Sequence, residues 1–264
     1  MIRMIALDLD GTLLDSSRRI PPENAAAIER AIDRGIEVVL ASGRNASSLV
    51  GYWQELGRPG AIVSSNGGYV LDRDGKELHH RALDDPLRDS LLTYGEAESL
   101  HTALYSRDRI LSARRNEWAD LYESRLHNAT PERVDVNVLG TMPATKVLFV
   151  DAPNRILEHR ARLGPEFADK TYMTISEPEY LEFLSPEANK AAGLAILASS
   201  RGIAREEVAA MGDAENDLEM VQWAGFGAAP ANAIGAVKAV SQRVFASNEE
   251  AGASQFIDSI VYNL

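Results

Sequence analysis

The sequence predicts an α/β fold: a doubly wound, Rossmann-like parallel sheet, interrupted by an inserted α+β domain. Three observations predict it. Short apolar runs typical of buried parallel strands alternate with helical stretches toward both ends of the chain. Polar residues follow these runs, where ligands bind in open α/β sheets. The middle of the chain has a hairpin-like pattern, and a length of 264 residues suits one large domain or two modest ones.

The first part of the chain alternates strand and helix. Met4 to Leu9 predicts a buried strand that stops at Gly11. A helix is expected to open at Pro21-Pro22 and to end at Gly35, because glycine commonly terminates helices. The next elements are a strand over 36–41, a helix over about 46–56 and a strand over 61–64.

From about Ala82 the pattern changes. Residues 101–115 predict a hairpin with a polar tip, 145–153 predict a strand followed by a turn, and 171–186 predict two more short strands. Acidic and basic helical stretches are expected between the hairpin and the strand at 145–153. This change indicates an inserted domain, and the length of the changed segment is typical of a domain. The predicted division is a discontinuous core of residues 1–82 and 187–264, and an inserted cap of residues 83–186.

After Pro186 the first pattern returns, which indicates that the chain re-enters the parallel sheet. The expected elements are a helix over about 188–200, a strand over 207–213, a helix from Asn216, a short apolar run over 225–230, an Ala-rich helix from Ala231, a strand over 243–247 and a terminal helix ending near Tyr262.

Composition excludes several classes of partner. The net charge of −12 argues against nucleic acid or an anionic membrane, because both are polyanions. An anionic substrate would therefore need local positive charge, from a metal or a few basic side chains. The chain has no cysteine, so it has neither disulfides nor thiolate metal ligands. No stretch resembles a signal peptide or nears the roughly 18 apolar residues of a membrane helix. A cytoplasmic enzyme is expected, and nothing predicts its oligomeric state.

Two acids follow the first strand, in the stretch Asp8-Leu9-Asp10-Gly11-Thr12. If the strand continues through them, Asp8 and Asp10 share one face, because side chains two apart in a strand point the same way. Two carboxylates side by side in a dry site repel each other unless a cation joins them. The alternative is a turn with solvated acids, in which Gly11 and Thr12 begin a helix.

A second and a third place carry phosphate-binding chemistry. Ser42-Gly43-Arg44 follows the second strand, and a hydroxyl and backbone amide at a helix N-terminus can hold a phosphate oxygen. An ordinary helix N-cap is the alternative for Ser42. Lys190 lies near the first turn of a late helix, where the helix dipole disfavours cations. It needs either an anion or solvent, and a lysine that reaches along the surface to water is the alternative.

The fourth place is Met211-Gly212-Asp213-Ala214-Glu215-Asn216-Asp217, which puts three acids and an amide into five positions. A helix with acids in its first turn explains Asp217, because acids interact favourably with the positive end of the helix dipole. It explains Asp213 less well, since that acid directly follows the predicted strand. The four places together, in this order and on this sheet, are hard to obtain by chance.

The motifs "DLDGT", "SGR", "NK" and "GDAEND" resemble the signatures of the haloacid dehalogenase-like phosphatase superfamily. Later segments, "ANA" at 231–233 and "SNEEAG" from Ser247, are similar to its Cof-type branch. The resemblance spans the core and implies that the insert is the large α/β cap of that branch. The sequence departs from the family at Ala191, where Gly is frequent, and at 227–233, which replaces a loop that usually bears Met.

The resemblance implies a role for each matched residue. Asp8 corresponds to a nucleophile that takes up the phosphoryl group, and Asp10 to the acid/base that protonates the leaving oxygen and later activates water. Magnesium is implied at the Asp8 carboxylate, the Asp10 backbone carbonyl and Asp213, and its preferred ligands are such oxygens. The implied phosphate-binding residues are Ser42, Gly43, Lys190 and Asn216. The implied supporting residues are Gly11, Thr12, Arg44 and Asp217.

The implied activity is a Mg²⁺-dependent phosphomonoesterase that acts through an aspartyl-phosphate on a small phosphorylated metabolite, with a sugar phosphate favoured. A phosphosugar mutase shares the motifs, and isomer formation in place of phosphate release would distinguish it. A phosphorylation-switch receiver domain is much shorter and has no insert. A non-catalytic regulator that binds a phosphorylated metabolite could lose Asp8, Asp10, Lys190 or Asp213, and none is missing.

Substrate choice is expected to lie with the cap, which must close over the site and exclude water. Some polar residues of its hairpin region could face the leaving group, although solvated surface arginines are the alternative. These residues are Tyr105, Arg107, Arg109, Arg114 and Arg115.

Overall fold

The computed structural model describes residues 1–113, 115–127 and 129–263, so Arg114 lies outside the described residues. The strands are β1 (Met4–Leu7), β2 (Glu37–Ala41), β3 (Ala61–Ser64), β4 (Tyr69–Leu71), β5 (Glu77–His80), β6 (His101–Ser106), β7 (Arg109–Ser112), β8 (Glu132–Arg133), β9 (Lys146–Val150), β10 (Tyr172–Glu177), β11 (Tyr180–Leu184), β12 (Val208–Met211), β13 (Phe226–Pro230) and β14 (Arg243–Phe245).

Helices connect most of these strands. They are α1 (Pro22–Asp33), α2 (Ala46–Glu55), α3 (Asp85–Ala97), α4 (Glu117–Ser124), α5 (Val136–Leu139), α6 (Pro153–Phe167), α7 (Lys190–Ser200), α8 (Leu218–Trp223), α9 (Gly235–Val240) and α10 (Gly252–Val261).

The larger sheet has eight strands in the order β14-β13-β12-β1-β2-β3-β4-β5. The strands from β14 to β3 are parallel, and β4 and β5 are antiparallel additions at one edge. The chain winds outward from β1 in one direction through β2 and in the other through β12. The carboxyl end of β1 is therefore the point where strand order reverses, and ligands bind at such points in open α/β sheets.

Both faces of β1 are covered, as a doubly wound sheet requires. Ile5 and Leu7 pack into a cluster with residues of α1, α2 and α10, whereas Met4 and Ala6 pack with residues of α7 and α8. All four side chains are fully buried. The alternation arises because successive strand side chains point to opposite faces. The predicted α/β class with a parallel sheet is confirmed.

The inserted segment forms its own mainly antiparallel sheet, in the order β10-β11-β9-β6-β7-β8. Side chains of α3 and α6, among them Leu91 and Ile156, pack against this sheet in a separate apolar cluster. We use the name cap for residues 83–186. The strand membership of the two sheets supports that division, which stays a prediction.

Several elements differ from the sequence-based expectation. β1 ends at Leu7 instead of Leu9, and the β4–β5 hairpin and helices α3 and α6 were not expected. Both helices carry proline in the first turn, at Pro86 and Pro153, and the "DDP" and "DAP" stretches are also typical of turns. The Ala-rich helix begins at Gly235 instead of Ala231. Among the described residues, no helix is long and apolar enough to cross a membrane.

Candidate active site

Asp8 lies directly after β1, at the point where strand order reverses. Its N–H still donates to the Met211 carbonyl of β12 at 3.0 Å, and Leu13 donates back to the Asp8 carbonyl at 3.2 Å as the chain turns. The turn requires glycine at position 11, which has φ +79°. A Cβ on Gly11 would also lie 2.4 Å from a carboxylate oxygen of Asp213. The glycine thus lets the two loops approach each other closely.

The prediction that Asp8 and Asp10 share one face of a strand is wrong. The strand ends at Leu7, so the alternation of strand side chains does not extend to Asp10. The Asp8 carboxylate contacts Lys190 at 2.6 Å, whereas the Asp10 carboxylate contacts Arg44 at 2.6 Å. The turn after β1 directs each acid to its own cation.

Lys190 is the first residue of α7, and its side chain is fully buried. Asn189 caps the helix by accepting the N–H of Ala192 at 2.8 Å. The Lys190 ammonium donates to Asp8 at 2.6 Å and to Asp217 at 2.5 Å. Burial opposes the charge, but these two carboxylates outweigh it and raise the pKa of Lys190. The alternative of a lysine solvated at the surface is therefore wrong.

Asp8, Asp213 and Asp217 each offer a carboxylate oxygen, and these oxygens all lie within 4.8 Å of one another. Asp217 also accepts the N–H groups of Asp213 and Ala214, both at 3.0 Å, which shapes the loop after β12. The three carboxylates and the Lys190 ammonium carry a net charge of about −2 when all are ionised. A divalent cation that prefers oxygen ligands would neutralise this charge, so the group is compatible with Mg²⁺.

The pKa values of these acids reflect their crowding. Burial, followed by repulsion from Asp217, raises the pKa of Asp213 to about 7. Burial and the Asp217 charge also raise the pKa of Asp8 well above its usual range, against the opposing charge of Lys190. A cation among the three carboxylates would favour ionisation of all of them. The group thus includes the predicted ligands Asp8 and Asp213, together with Asp217, which was assigned only a supporting role.

Asp10 is held apart from this group by Arg44. The guanidinium donates to both carboxylate oxygens at 2.6 Å, which is a bidentate ion pair. Burial would raise the pKa of Asp10, but the hydrogen bonds and charge of Arg44 outweigh it and lower the pKa overall. The side chain of Asp10 is therefore a carboxylate in this arrangement. Metal binding by the Asp10 backbone carbonyl stays a prediction.

Thr12 supports the same loops. Its hydroxyl is buried and donates to Asp213 at 2.9 Å. This hydrogen bond joins the turn after β1 to the loop after β12, two segments whose bonded residues are 201 positions apart in the chain. It stabilises the ionised form of Asp213 and so partly opposes the effect of burial.

Ser42 follows β2 and is almost fully buried. Its hydroxyl accepts the N–H of Arg44 at 3.2 Å. Helix α2 begins only at Ala46, with Asn45 at the N-cap position, so Ser42 does not cap that helix. The ordinary N-cap alternative for Ser42 is wrong, and Ser42 lines the same cavity as Asp8 and Asp10.

A cavity of about 550 Å³, including its mouth, separates the carboxyl edge of the core sheet from the cap. The core residues that line it are Asp8, Asp10, Arg18, Ser42, Gly43, Arg44, Ala214 and Asn216. The cap residues that line it are Tyr105, Tyr122, Arg125, Leu126, Lys146, Leu148, Ser176, Glu177, Tyr180 and Glu182. Predicted core residues and cap side chains thus face one shared space.

The arginines of the cap hairpin do not line this cavity among the described residues. Arg107 pairs with Glu77 at 3.0 Å, and Arg109 pairs with Glu132 at 2.6 Å. Arg115 pairs with Asp120, and it is the most exposed of the three. The surface alternative therefore holds for these three arginines. Of the hairpin residues proposed to face the leaving group, Tyr105 lines the cavity.

Other residues of the cavity were missed by the sequence analysis. Arg18 of the core donates to the Arg125 carbonyl and to Glu177 of the cap. Lys146 and Glu182 form a buried ion pair at 2.9 Å. A sequence signal existed for Glu182, because it interrupts the otherwise apolar strand "YLEFL" with a charge. No local signal identified Arg18 or Arg125, whose positions depend on contacts between core and cap.

Comparisons with known proteins identify the family of this chain. A family model described as haloacid dehalogenase-like hydrolase matches residues 5–257. The phosphatase YwpJ of Bacillus subtilis is 27% identical, with 98% of this chain and 100% of that protein covered. The 5-amino-6-(5-phospho-D-ribitylamino)uracil phosphatase YitU of the same organism is 28% identical, with 96% of each chain covered.

Solved structures show the same fold over the whole chain. A haloacid dehalogenase-like hydrolase from Bacteroides thetaiotaomicron superposes with a TM-score of 0.88 at 29% identity. The alignment covers 98% of this chain and 100% of that one. Core and cap are therefore both part of the similarity.

Proposed function

This chain belongs to the haloacid dehalogenase-like hydrolases and is a phosphatase, and on that premise we propose that it is a Mg²⁺-dependent phosphomonoesterase acting through an aspartyl-phosphate. One observation carries the proposal. The Asp8 carboxylate lines the cavity at the end of the central strand, 2.6 Å from a fully buried ammonium group. Asp213 and Asp217 complete a group of three carboxylates there.

The charges of the site suit a phosphate ester. A phosphate monoester carries nearly two negative charges at neutral pH, and Asp8 must approach it to bonding distance. At 4 Å and an effective dielectric constant of 20, each pair of like charges costs about 4 kcal/mol, so the encounter costs about 8 kcal/mol. The Lys190 ammonium offsets part of this cost. Bound Mg²⁺ would supply two further positive charges and polarise the phosphoryl oxygens.

The proposed reaction has two displacements at phosphorus. An Asp8 oxygen attacks the phosphorus atom, the bond from phosphorus to the ester oxygen breaks, and Asp10 donates a proton to that oxygen. Water then attacks the phosphoryl group on Asp8 while Asp10 takes up a proton from the water, and the bond from Asp8 to phosphorus breaks. Ser42, the Gly43 amide, Lys190 and Asn216 hold the phosphoryl oxygens in both steps, which is positioning and charge stabilisation.

Asp10 must change partner to act as an acid. In the structure Arg44 keeps its carboxylate ionised. A phosphate dianion beside Asp10 would raise its pKa, since a nearby negative charge disfavours the ionised form. The same dianion would attract Arg44 away from Asp10. We therefore propose that substrate binding itself loads Asp10 with the proton that the leaving oxygen needs.

The proposed substrate is a small phosphorylated metabolite, and we favour a sugar phosphate. The cavity between core and cap is lined by the aromatic side chains of Tyr105, Tyr122 and Tyr180 beside the charged groups of the site, and small-ligand sites combine such groups. One relative, YitU, is named for a phosphorylated ribityl compound, which carries its phosphate on a sugar-alcohol chain. We also propose a cytoplasmic location, since the acidic chain without cysteine fits that compartment.

A phosphate-release screen over phosphorylated metabolites with Mg²⁺ tests this proposal. Release of inorganic phosphate is the expected result, and chelation of the metal should stop it while added Mg²⁺ restores it. Conversion of a sugar phosphate to its isomer without phosphate release would favour a mutase instead. Hydrolysis that continues undiminished in a chelator would contradict the proposal.

A further inference from the structure

A buried ion pair joins the cap to the core beside the proposed phosphate site. Lys146 of β9 and Glu182 of β11 are 2.9 Å apart, and their side chains are 1% and 2% exposed. Both line the cavity. Neither was among the residues that the sequence predicted, and the proposed reaction has no step for them.

Each member of the pair contacts a different loop of the core. The Lys146 ammonium donates to the carbonyl of Gly43, which belongs to the predicted phosphate-binding stretch, at 2.5 Å. Glu182 accepts from the Asn66 amide at 2.6 Å. The Asn66 oxygen in turn accepts from the Asn216 amide at 2.9 Å, and Asn216 is another proposed phosphate ligand. A buried hydrogen-bonded chain therefore runs from the cap pair to Gly43 and Asn216, two residues of the proposed phosphate site.

The turn that carries Asn66 is conformationally demanding. Ser65, Asn66 and Gly67 have φ values of +47°, +49° and +91°, a left-handed region that is unfavourable for the first of these residues. A Cβ on Gly67 would lie 2.0 Å from the carbonyl oxygen of Asn189, directly before the lysine that begins α7. Contacts from neighbouring elements must hold such a turn in place. The hydrogen bond from Asn66 to Glu182 is one of them.

The ammonium of Lys146 has no donor to spare for a substrate. It faces the Gly43 carbonyl, Glu182 and the ring of Tyr105, whose centroid lies 4.2 Å away. An ammonium group has three donors, so these three partners account for them. Glu182 likewise accepts from Lys146, Asn66 and the hydroxyl of Ser176. The hydrogen-bonding groups of the pair contact other protein groups, so we do not expect the pair to bind the leaving group of a substrate.

Burial of this pair favours one position of the cap over others. Charges removed from water lose hydration, and their mutual attraction compensates only when the geometry and the remaining hydrogen bonds are good. A small displacement of the cap would separate Lys146 from Gly43 and Glu182 from Asn66. Both charged groups would remain buried without these hydrogen bonds, which is unfavourable. An apolar contact of the same area would tolerate such a shift, because it has no preferred direction.

We propose that Lys146 and Glu182 are positioning residues that fix the closed cap in register with the two phosphate-binding loops. This inference rests on the proposed function, because it assigns Gly43 and Asn216 to the phosphate. It predicts that loss of the pair weakens binding of the phosphate group of every substrate, whatever the leaving group. A residue that contacted the leaving group would instead act on some substrates only.

The test compares Lys146→Met and Glu182→Gln with the matched control Arg107→Met. The control removes an exposed ion pair between cap and core, that of Arg107 with Glu77, away from the cavity. Calorimetry with inorganic phosphate and Mg²⁺ gives the affinity for the shared group of all substrates. Turnover of acetyl phosphate and of a sugar phosphate gives kcat/KM for a small and a large leaving group.

We expect the affinity for inorganic phosphate to fall about tenfold to a hundredfold in both cavity variants, the range typical when residues that hold metal ligands in place are lost. The value of kcat/KM should fall by one common factor for both substrates, and Arg107→Met should stay within about twofold of wild type. A loss confined to the sugar phosphate would overturn the inference, and so would unchanged phosphate affinity.

Two further measurements keep the test decisive. If a single variant does not fold, the double variant Lys146→Met/Glu182→Gln, which removes both charges together, takes its place. Its loss of phosphate affinity should not exceed the range expected for either single variant, because both substitutions remove the same ion pair. If the wild type neither binds phosphate nor releases it, the proposed function has failed. Small-angle scattering of the full chain then tests the position of the cap without reference to phosphate. The cap of the variants should lie further from the core than in wild type, and identical scattering curves would overturn the inference.

Discussion

Removal of divalent metal should make the stability of this protein fall as pH rises from about 4 to about 7. The perturbation acts on Asp213, which shares a buried region with Asp8 and Asp217. Without a metal, burial and the charge of Asp217 raise the pKa of Asp213 to about 7 in the folded chain. In the unfolded chain the group returns to its ordinary value of 3.8.

The size of the effect follows from these two values. Between them, the folded state keeps a proton on Asp213 that the unfolded state has released, so rising pH favours unfolding. A difference of about three between the pKa values corresponds to about 4 kcal/mol, lost progressively across this range. Bound Mg²⁺ would keep Asp213 ionised when folded and would remove the loss. Stabilisation by Mg²⁺ should therefore grow with pH.

Urea unfolding at several pH values, in EDTA and in Mg²⁺, measures this directly. Other acids also titrate, so the informative quantity is the difference between wild type and Asp213→Asn. In EDTA the wild type should lose stability relative to that variant as pH rises, and Mg²⁺ should stabilise the wild type far more. Asp33→Asn is the surface control, since Asp33 is 65% exposed and pairs with Arg58 at the surface. Parallel wild-type and Asp213→Asn curves in EDTA would refute the reasoning.

Three other predictions follow from contacts in the site. Lys190→Met leaves two buried carboxylates without their cation, so urea unfolding should show a loss of about 3–5 kcal/mol; an unchanged midpoint would contradict this. Gly11→Ala should weaken Mg²⁺ binding measured by calorimetry, because the added Cβ would lie 2.4 Å from a carboxylate oxygen of Asp213. Gly35→Ala is the control: Gly35 has a similar φ of +78°, but its added Cβ would have no atom within 4 Å, so Mg²⁺ should bind normally. Arg44→Met should move the alkaline limb of the pH profile of kcat/KM to higher pH, because kcat/KM reports the free enzyme, in which loss of the cation raises the pKa of Asp10; a fixed limb would count against Asp10 as the acid.

The parallel core could be predicted because its signals are local. Buried parallel strands are short apolar runs, and β1, β2 and β3 each match one within two residues. The acids, the serine and the lysine that follow strands or open helices were visible for the same reason. Their grouping followed from the rule that the carboxyl ends of parallel strands share one edge.

Other features depend on contacts between distant parts of the chain. The separation of Asp8 from Asp10 depends on where β1 stops, and on the cations that each acid meets. The pair formed by Lys146 and Glu182 depends on how the cap sheet faces the core, which no local pattern encodes. Helices α3 and α6 were missed because their proline-containing starts also fit turns.

The central claim is that Asp8 carries the phosphoryl group during turnover. Acid quenching of the enzyme during turnover with a phosphate ester, followed by peptide mass spectrometry, tests it most directly. The account predicts one phosphoryl group on Asp8, formed at a rate consistent with turnover and absent from a folded Asp8→Asn variant that releases no phosphate. Phosphate release from Asp8→Asn at the wild-type rate, or a phosphoryl group trapped on another residue, would contradict it.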